Sequence, residues 1–230
     1  KIFHRKNAVM ILSSKFAKHG AIWGILMATS IAHSVKIELP LDTIILESNN
    51  GKMDKGVKVV NTKGASEGKA VDHEKGIKTV HQIDIPQAGD WYLWIRIFCP
   101  DGGKDSYWIG MEKAEPNPAE DALGESAVRI YSAVGDSVNV VGQPFNIWFW
   151  DCNKAHADPH SFFKVKKAGK HEFWSKGREP GTLLDQLLLT KDDKFNPEEA
   201  SKGDWIEIPQ AADLNDKLAL TWGSIKSFQH

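Results

Sequence analysis

The chain has 230 residues, 41% of them hydrophobic and 26% charged, with nine tryptophans and a formal net charge of −1. That composition excludes a disordered or low-complexity chain and leaves enough apolar material for a sizeable core. The charge is unevenly laid out. Residues 1–32 hold Lys1, Arg5, Lys6, Lys15 and Lys18 and no acid, so the remainder has 24 basic against 30 acidic residues, a net of −6, which argues against nucleic acid as partner.

The basic N-terminal stretch runs into "AIWGILMATSIA", twelve apolar or small residues from Ala21 to Ala32, with Ser30 and Ala32 as a small-x-small ending. Basic region, short apolar region and small-residue site are the layout of a secretory signal. A membrane span needs about 20 apolar residues. Residues 1–32 therefore read as a signal peptide or, if retained, an anchor; only an anchor makes a membrane a partner. The body is expected to be extracytoplasmic, periplasmic or secreted.

From Val35 onward strand signals dominate. "TIILES" ends at the turn Asn49-Asn50-Gly51, and "GVKVVNT" and "KTVHQIDIP" alternate with period two. "DWYLWIRIFCP" is aromatic on both faces and reads as a central strand. The turn "DGGK" joins it to "DSYWIGME" as a hairpin. "AVRIYSAV", "QPFNIWFWDC", "SFFKVKK", "HEFWSKG" and "TLLDQLLLT" follow, and only "NPAEDALGES" looks briefly helical. About ten short strands without a long helix predict an all-β antiparallel sandwich or barrel. The strand–helix alternation, G-x-G-x-x-G and P-loop of nucleotide-binding folds are missing. Three parts are expected: the leader 1–32, a β-sandwich binding domain over 33–198, and a C-terminal extension over 199–230 that docks on the body or on a neighbour.

Three phrases carry a family resemblance. "LDTIILESNNG", "IPQAGDWYLWIRIFCPDGGKDSYWIGME" and "KKAGKHEFWSKGREPGTLLDQLLLTKD" resemble the opening strand, central hairpin and closing strand pair of galactose-binding-like jelly rolls among carbohydrate-binding modules, families 6 and 35 and relatives. The resemblance spans about residues 42–193. It implies a jelly-roll sandwich that binds a glycan without catalysis. It also implies a structural calcium held by Glu47 and Asp185, with Asn49 where the family often has a second Glu; an Asn brings oxygen but no charge. From its residues alone, Asp185 reads as an outward-facing position on a period-two strand. Arg178 and Glu179 either touch a sugar or pair with each other; the resemblance implies that the pair serves the fold.

Other candidates come from residue type. Tyr92, Trp94, Trp148 and Trp150 are strand aromatics that either fill the core or offer a stacking face to a sugar ring. Cys99 and Cys152 each end a strand, and in an exported protein they can pair. "DCNKAHADPH" sets Cys152, His156 and His160 four apart with Asp151 and Asp158 nearby, either a zinc-ligand set or a polar loop. Acids are plentiful, but no pair, G-x-S-x-G or H-E-x-x-H singles out an active site, so no enzyme is expected. Two functions compete: recognition of a glycan, and a structural subunit of a larger extracytoplasmic assembly. The second would use Trp205, Leu218, Leu220 and Trp222 of the extension as its protein contact.

Overall fold

The computed structural model describes residues 36–114, 127–131, 145–154 and 157–208. The chain divides into two units, residues 1–31 and 32–230, and the first lies wholly outside the described residues, as does the expected helix of "NPAEDALGES". No helix among the described residues is long and apolar enough to cross a membrane.

The described part is built from strands β1 (Thr43–Glu47), β2 (Lys52–Met53), β3 (Val57–Asn61), β4 (Lys69–His73), β5 (Lys78–Ile85), β6 (Gly89–Phe98) and β7 (Ser106–Met111). Then come β8 (Val128–Tyr131), β9 (Trp148–Asp151), β10 (Asn153–Lys154), β11 (Ala157–His160), β12 (Phe162–Val165), β13 (Gly169–Gly177) and β14 (Leu183–Thr190), and a short helix α1 (Pro197–Ser201). One sheet runs β12-β6-β14-β4-β3, with β1 also on β14 and β9 also on β6; the other runs β11-β10-β8-β7-β13-β5-β2. The ladders within both sheets are antiparallel. The all-β antiparallel sandwich read from the sequence is therefore the fold.

Period-two alternation builds the core between the sheets. Trp91, Leu93, Ile95 and Ile97 of β6 meet Tyr107 and Ile109 of β7, Phe173 of β13 and Leu184, Leu187 and Leu189 of β14. The strand "DWYLWIRIFC" is aromatic on both faces because both faces are covered. Trp94 shares a second cluster with Trp150, Cys152, Leu188 and Ile206, with Ile37, Leu39, Ile45 and Phe195 packed around it. The outer face of the first sheet is thus roofed by the chain on either side of the sandwich: residues 37–39 before it and 195–206 after it.

This roof includes the first residues of the expected extension, which dock on the sandwich. Helix α1 starts on Asn196, whose side chain accepts from the Glu198 and Glu199 amides, with Pro197 in the first turn, a favourable arrangement for both residues. It ends on Lys202 in the left-handed conformation, φ 57°. Residues 199–208 then lie on the sandwich through Gly203 and Ile206. The segment "ADPH", read as loop, is β11. It is the terminal strand of its sheet, where a proline removes no ladder bond that matters.

Candidate functional site

The carboxylate inside "LLDQLLL" owes its place to a β-bulge. The register of β14 against β6 shifts between Leu184 and Gln186, so Asp185 is an extra residue in the ladder. Leu184, Leu187 and Leu189 keep to the inter-sheet core, while Asp185 and Gln186 both make their contacts beneath the roof. Asp185 does point away from the inter-sheet core, as period-two counting expects, but the roof buries it there; what the counting cannot anticipate is the bulge, which sets Gln186 on the same side. Asp185 is 0% exposed.

Asp185 Oδ2 accepts from Arg96 Nη1 at 2.6 Å, and Oδ1 accepts from the Ser66 amide at 2.9 Å. Arg96 is itself 2% exposed. Its remaining donors reach backbone: Nη1 to Gly64 O at 2.9 Å, Nε and Nη2 to Gly203 O at 3.0 and 2.8 Å. Trp148 lies over its guanidinium at 5.2 Å. Beside this pair, Glu47 Oε1 accepts from Ser66 Oγ at 2.8 Å and Gln186 Nε2 at 2.7 Å, and Gln186 exchanges two bonds with the Ile206 backbone. Burial pushes Glu47 up to about 7, and burial pushes Asp185 up to about 6 against the pull of Arg96.

Glu47 and Asp185, the two carboxylates of the expected calcium set, do lie together, bridged by Ser66. As arranged they do not fit a calcium ion, which takes six to eight oxygens. Both oxygens of Asp185 already face donors, and a buried guanidinium holds the positive charge. Asn49, in the turn Ser48–Asn50 after β1, would add no charge.

The four candidate aromatics share the outer face of the first sheet, but not one surface. Trp94 (3% exposed) and Trp150 (0%) lie under the roof and offer no face to a ligand. Trp150 Nε1 donates to Asp204 O, and its amide donates to Glu198 Oε2. Trp148 is half-buried, donates to Lys63 O and contacts Phe98 at 5.5 Å. Tyr92 lies six residues before Phe98 on β6, roughly 20 Å away at strand rise.

Tyr92 does find a partner that the sequence reading missed. Phe162 stands opposite it in the β12–β6 ladder, ring centroids 5.8 Å apart, and both are half-buried. His160 sits 5.2 Å from the Tyr92 ring and 4.8 Å from Trp94, with Nε2 3.2 Å from Leu93 O. Burial, then Asp193 and Asp90 nearby, pushes the Tyr92 hydroxyl up, so it stays a neutral donor. The signal for Phe162 was present in "SFFKVKK": of two adjacent strand phenylalanines, one must face away from the core.

The cysteines are not brought together. Cys99 belongs to the inter-sheet core and Cys152 to the cluster on the other side of the same sheet, so the expected bridge between them does not form. The zinc alternative is not assembled from the described residues: Cys152 packs with Ile206 and His160 turns to Leu93, while the His156 and Asp158 side chains lie outside the description. Arg178 and Glu179 pair as expected, and Glu179 also accepts from the Asp105 amide and Ser106 hydroxyl, tying the β6–β7 turn to the β13–β14 turn. Burial and then Glu179 push Asp105 up to about 7. Of the proposed partner contacts, Trp205 is half-buried beside the docked Ile206, and Leu218, Leu220 and Trp222 lie outside the described residues.

No known family model and no curated protein matches the chain. Among solved structures it is similar to the C-terminal CBM6 of a laminarinase from Zobellia galactanivorans, at 17% identity and TM-score 0.43 over 65% of this chain and 99% of that one. It is similar to a Cellvibrio mixtus lichenase carbohydrate-binding module in complex with cellotriose, at 17% identity and TM-score 0.44 over 65% and 97%. It is also similar to a family 35 carbohydrate-binding module from Clostridium thermocellum, at 12% identity and TM-score 0.43 over 64% and 96%. What this chain binds has to be argued from its own surface.

Proposed function

We propose that the chain is a non-catalytic carbohydrate-recognition module, exported, whose sugar-stacking platform is the Tyr92–Phe162 pair. The observation that carries this reading is the pair itself: two adjoining half-buried rings on the outer face of a β-sandwich, with the Asp90 and Asp193 carboxylates beside Tyr92. Ring faces suit the C–H faces of a pyranose, and a few placed acceptors suit its hydroxyls. Both rings stand on paired strands, so the platform is rigid before a ligand arrives.

Affinity electrophoresis against immobilised neutral β-glucans and mannans tests it. Tyr92→Ala and Phe162→Ala should each abolish retardation while leaving the melting temperature nearly unchanged. Retardation that survives both substitutions sinks the platform, and no retardation by any glycan sinks the reading. The alternative, an assembly subunit, gains nothing from Ile206, which packs on the chain's own sandwich. It now rests on Trp205 and residues 209–230.

A further inference from the structure

The sandwich has an opening on its inner side that none of the candidates above uses. A cleft of about 520 Å³ is lined by Met111, Phe163 and Val165 and by Glu112, His171 and four lysines, Lys113, Lys164, Lys166 and Lys167. The volume is that of a small-ligand site, commonly about 300–1,000 Å³. Phe163 and Val165 on β12 belong to the inter-sheet core, and Met111 at the end of β7 packs against it. The floor is therefore the place where the core between the sheets meets solvent.

The walls are basic. All four lysines are exposed. Lys113 follows the end of β7; Lys166 and Lys167 form the turn between β12 and β13; Lys164 alternates with Phe163 and Val165 and contributes to the lip. The single acid of the lining, Glu112, faces His171: Nδ1 lies 2.7 Å from its Oε1, and Nε2 lies 2.8 Å from Lys167 O. Glu112 is held in the left-handed conformation, φ 52°, by its amide on Glu172 O and by the Trp174 indole on its own carbonyl. Its carboxylate is thus directed to the imidazole rather than left to oppose the lysines. This concentration of positive charge stands in a body whose residues beyond position 32 carry a net of −6.

We propose that this cleft is a second binding site, for an oligosaccharide bearing carboxylate or sulfate groups. Flexible ammonium groups around an apolar floor suit a ligand with spaced anionic groups and C–H faces. The charge half of the inference rests on the cleft alone. The sugar half rests on the carbohydrate reading above. The cleft lies on the inner side of β12 and the Tyr92–Phe162 pair on its outer side, so separate substitutions address the two.

The test is calorimetric titration of the full chain with an oligogalacturonate, a sulfated oligosaccharide, a neutral oligosaccharide of the same length and a poly-glutamate peptide. At least one charged sugar should bind, weaken steeply with added salt, and lose about tenfold or more in affinity in Lys113→Glu/Lys167→Glu. Tyr92→Ala should leave that binding intact. The uronate and sulfate arms then name the anionic group. Unchanged melting of the charge-reversal variant separates lost binding from lost fold. The proposal is overturned if neither charged sugar binds, if the neutral sugar binds as well in the cleft, or if charge reversal changes nothing. It is overturned too if the peptide binds as tightly as the sugars and is lost in the same variant, which would make the cleft a protein-docking site. Loss of charged-sugar binding in Tyr92→Ala alone would overturn the second site and leave the platform standing.

Discussion

Arg96 and Asp185 are the residues on which the outer face turns. Each is buried, each has its polar atoms met, and each is close to worthless without the other. Removing one partner of a buried ion pair leaves an uncompensated charge, at a cost of about 3–5 kcal/mol. Arg96→Met is therefore expected to lower unfolding stability by about that amount in a urea titration, far more than removal of the exposed, solvent-screened Lys58–Glu74 pair. Calcium and chelator should leave the melting temperature of the wild-type chain unchanged; a clear rise on adding calcium would show that the Arg96–Asp185 geometry gives way to a metal. The buried acids also set a pH dependence. Glu47 at about 7, Asp185 at about 6 and Asp105 at about 7 all hold protons longer in the folded chain than in the unfolded one, so their part of the stability falls as pH rises from about 4 through about 7. His73, His81 and His160 are lowered by burial to about 4, so their part is lost in the opposite direction, as pH falls from about 6.5 to about 4. The two sets oppose each other in overlapping pH windows, so Glu47→Gln should make stability rise more with pH between about 4.5 and about 7 than it does in the wild-type chain. If the slope over that window is unchanged, Glu47 is not a group that shapes it.

At the scale of the element, strands were legible wherever alternation or an apolar run stood between turn residues. The runs 57–61 and 78–85 alternate with period two, and 43–47, 89–98 and 106–111 are short apolar or aromatic runs bounded by turns. What escaped were elements whose reason is not local. β4 has the sequence "KAVDH", too short and polar to read alone, and is a strand because it lies between β14 and β3. The bulge in β14 was illegible because "LLDQLLL" alternates equally well with or without an extra residue; only the ladder to β6 shows that Asp185 is the extra one. Gly177 at the end of β13 is another such position. A Cβ there would lie 2.5 Å from Glu74 O and 2.6 Å from His73 Cβ, and backbone cannot step aside as a side chain can. Gly177→Ala is expected to destabilise by about 1–3 kcal/mol in the same urea titration. A neutral result would mean that the 73–77 turn shifts freely.

Across the whole molecule, the sandwich is complete only with its roof. The chain cut after residue 195 loses the Gly203 carbonyl on Arg96, the Ile206 backbone on Gln186 and the cover over Trp94 and Trp150. It should melt lower and bind an apolar dye, because that face would be exposed. The chain cut after residue 208 should melt like the full chain. If it also leaves a larger complex that the full chain enters, the assembly reading regains its footing through residues 209–230.

The sequence by itself determined the all-β class and most of the strands, because alternation, apolar runs and turn residues are local and repeat along the chain. It also brought Glu47 and Asp185 into view as a pair. Only the tertiary structure decided what those acids do. Their surroundings come from Arg96, Ser66, Gln186 and the Gly203–Ile206 stretch, contacts separated by up to 139 residues that no spacing rule encodes. The same holds for the aromatics. Which tryptophan is core and which ring faces outward is settled by a second covered face, built by segments outside the sandwich strands, and burial is a property of the packed whole.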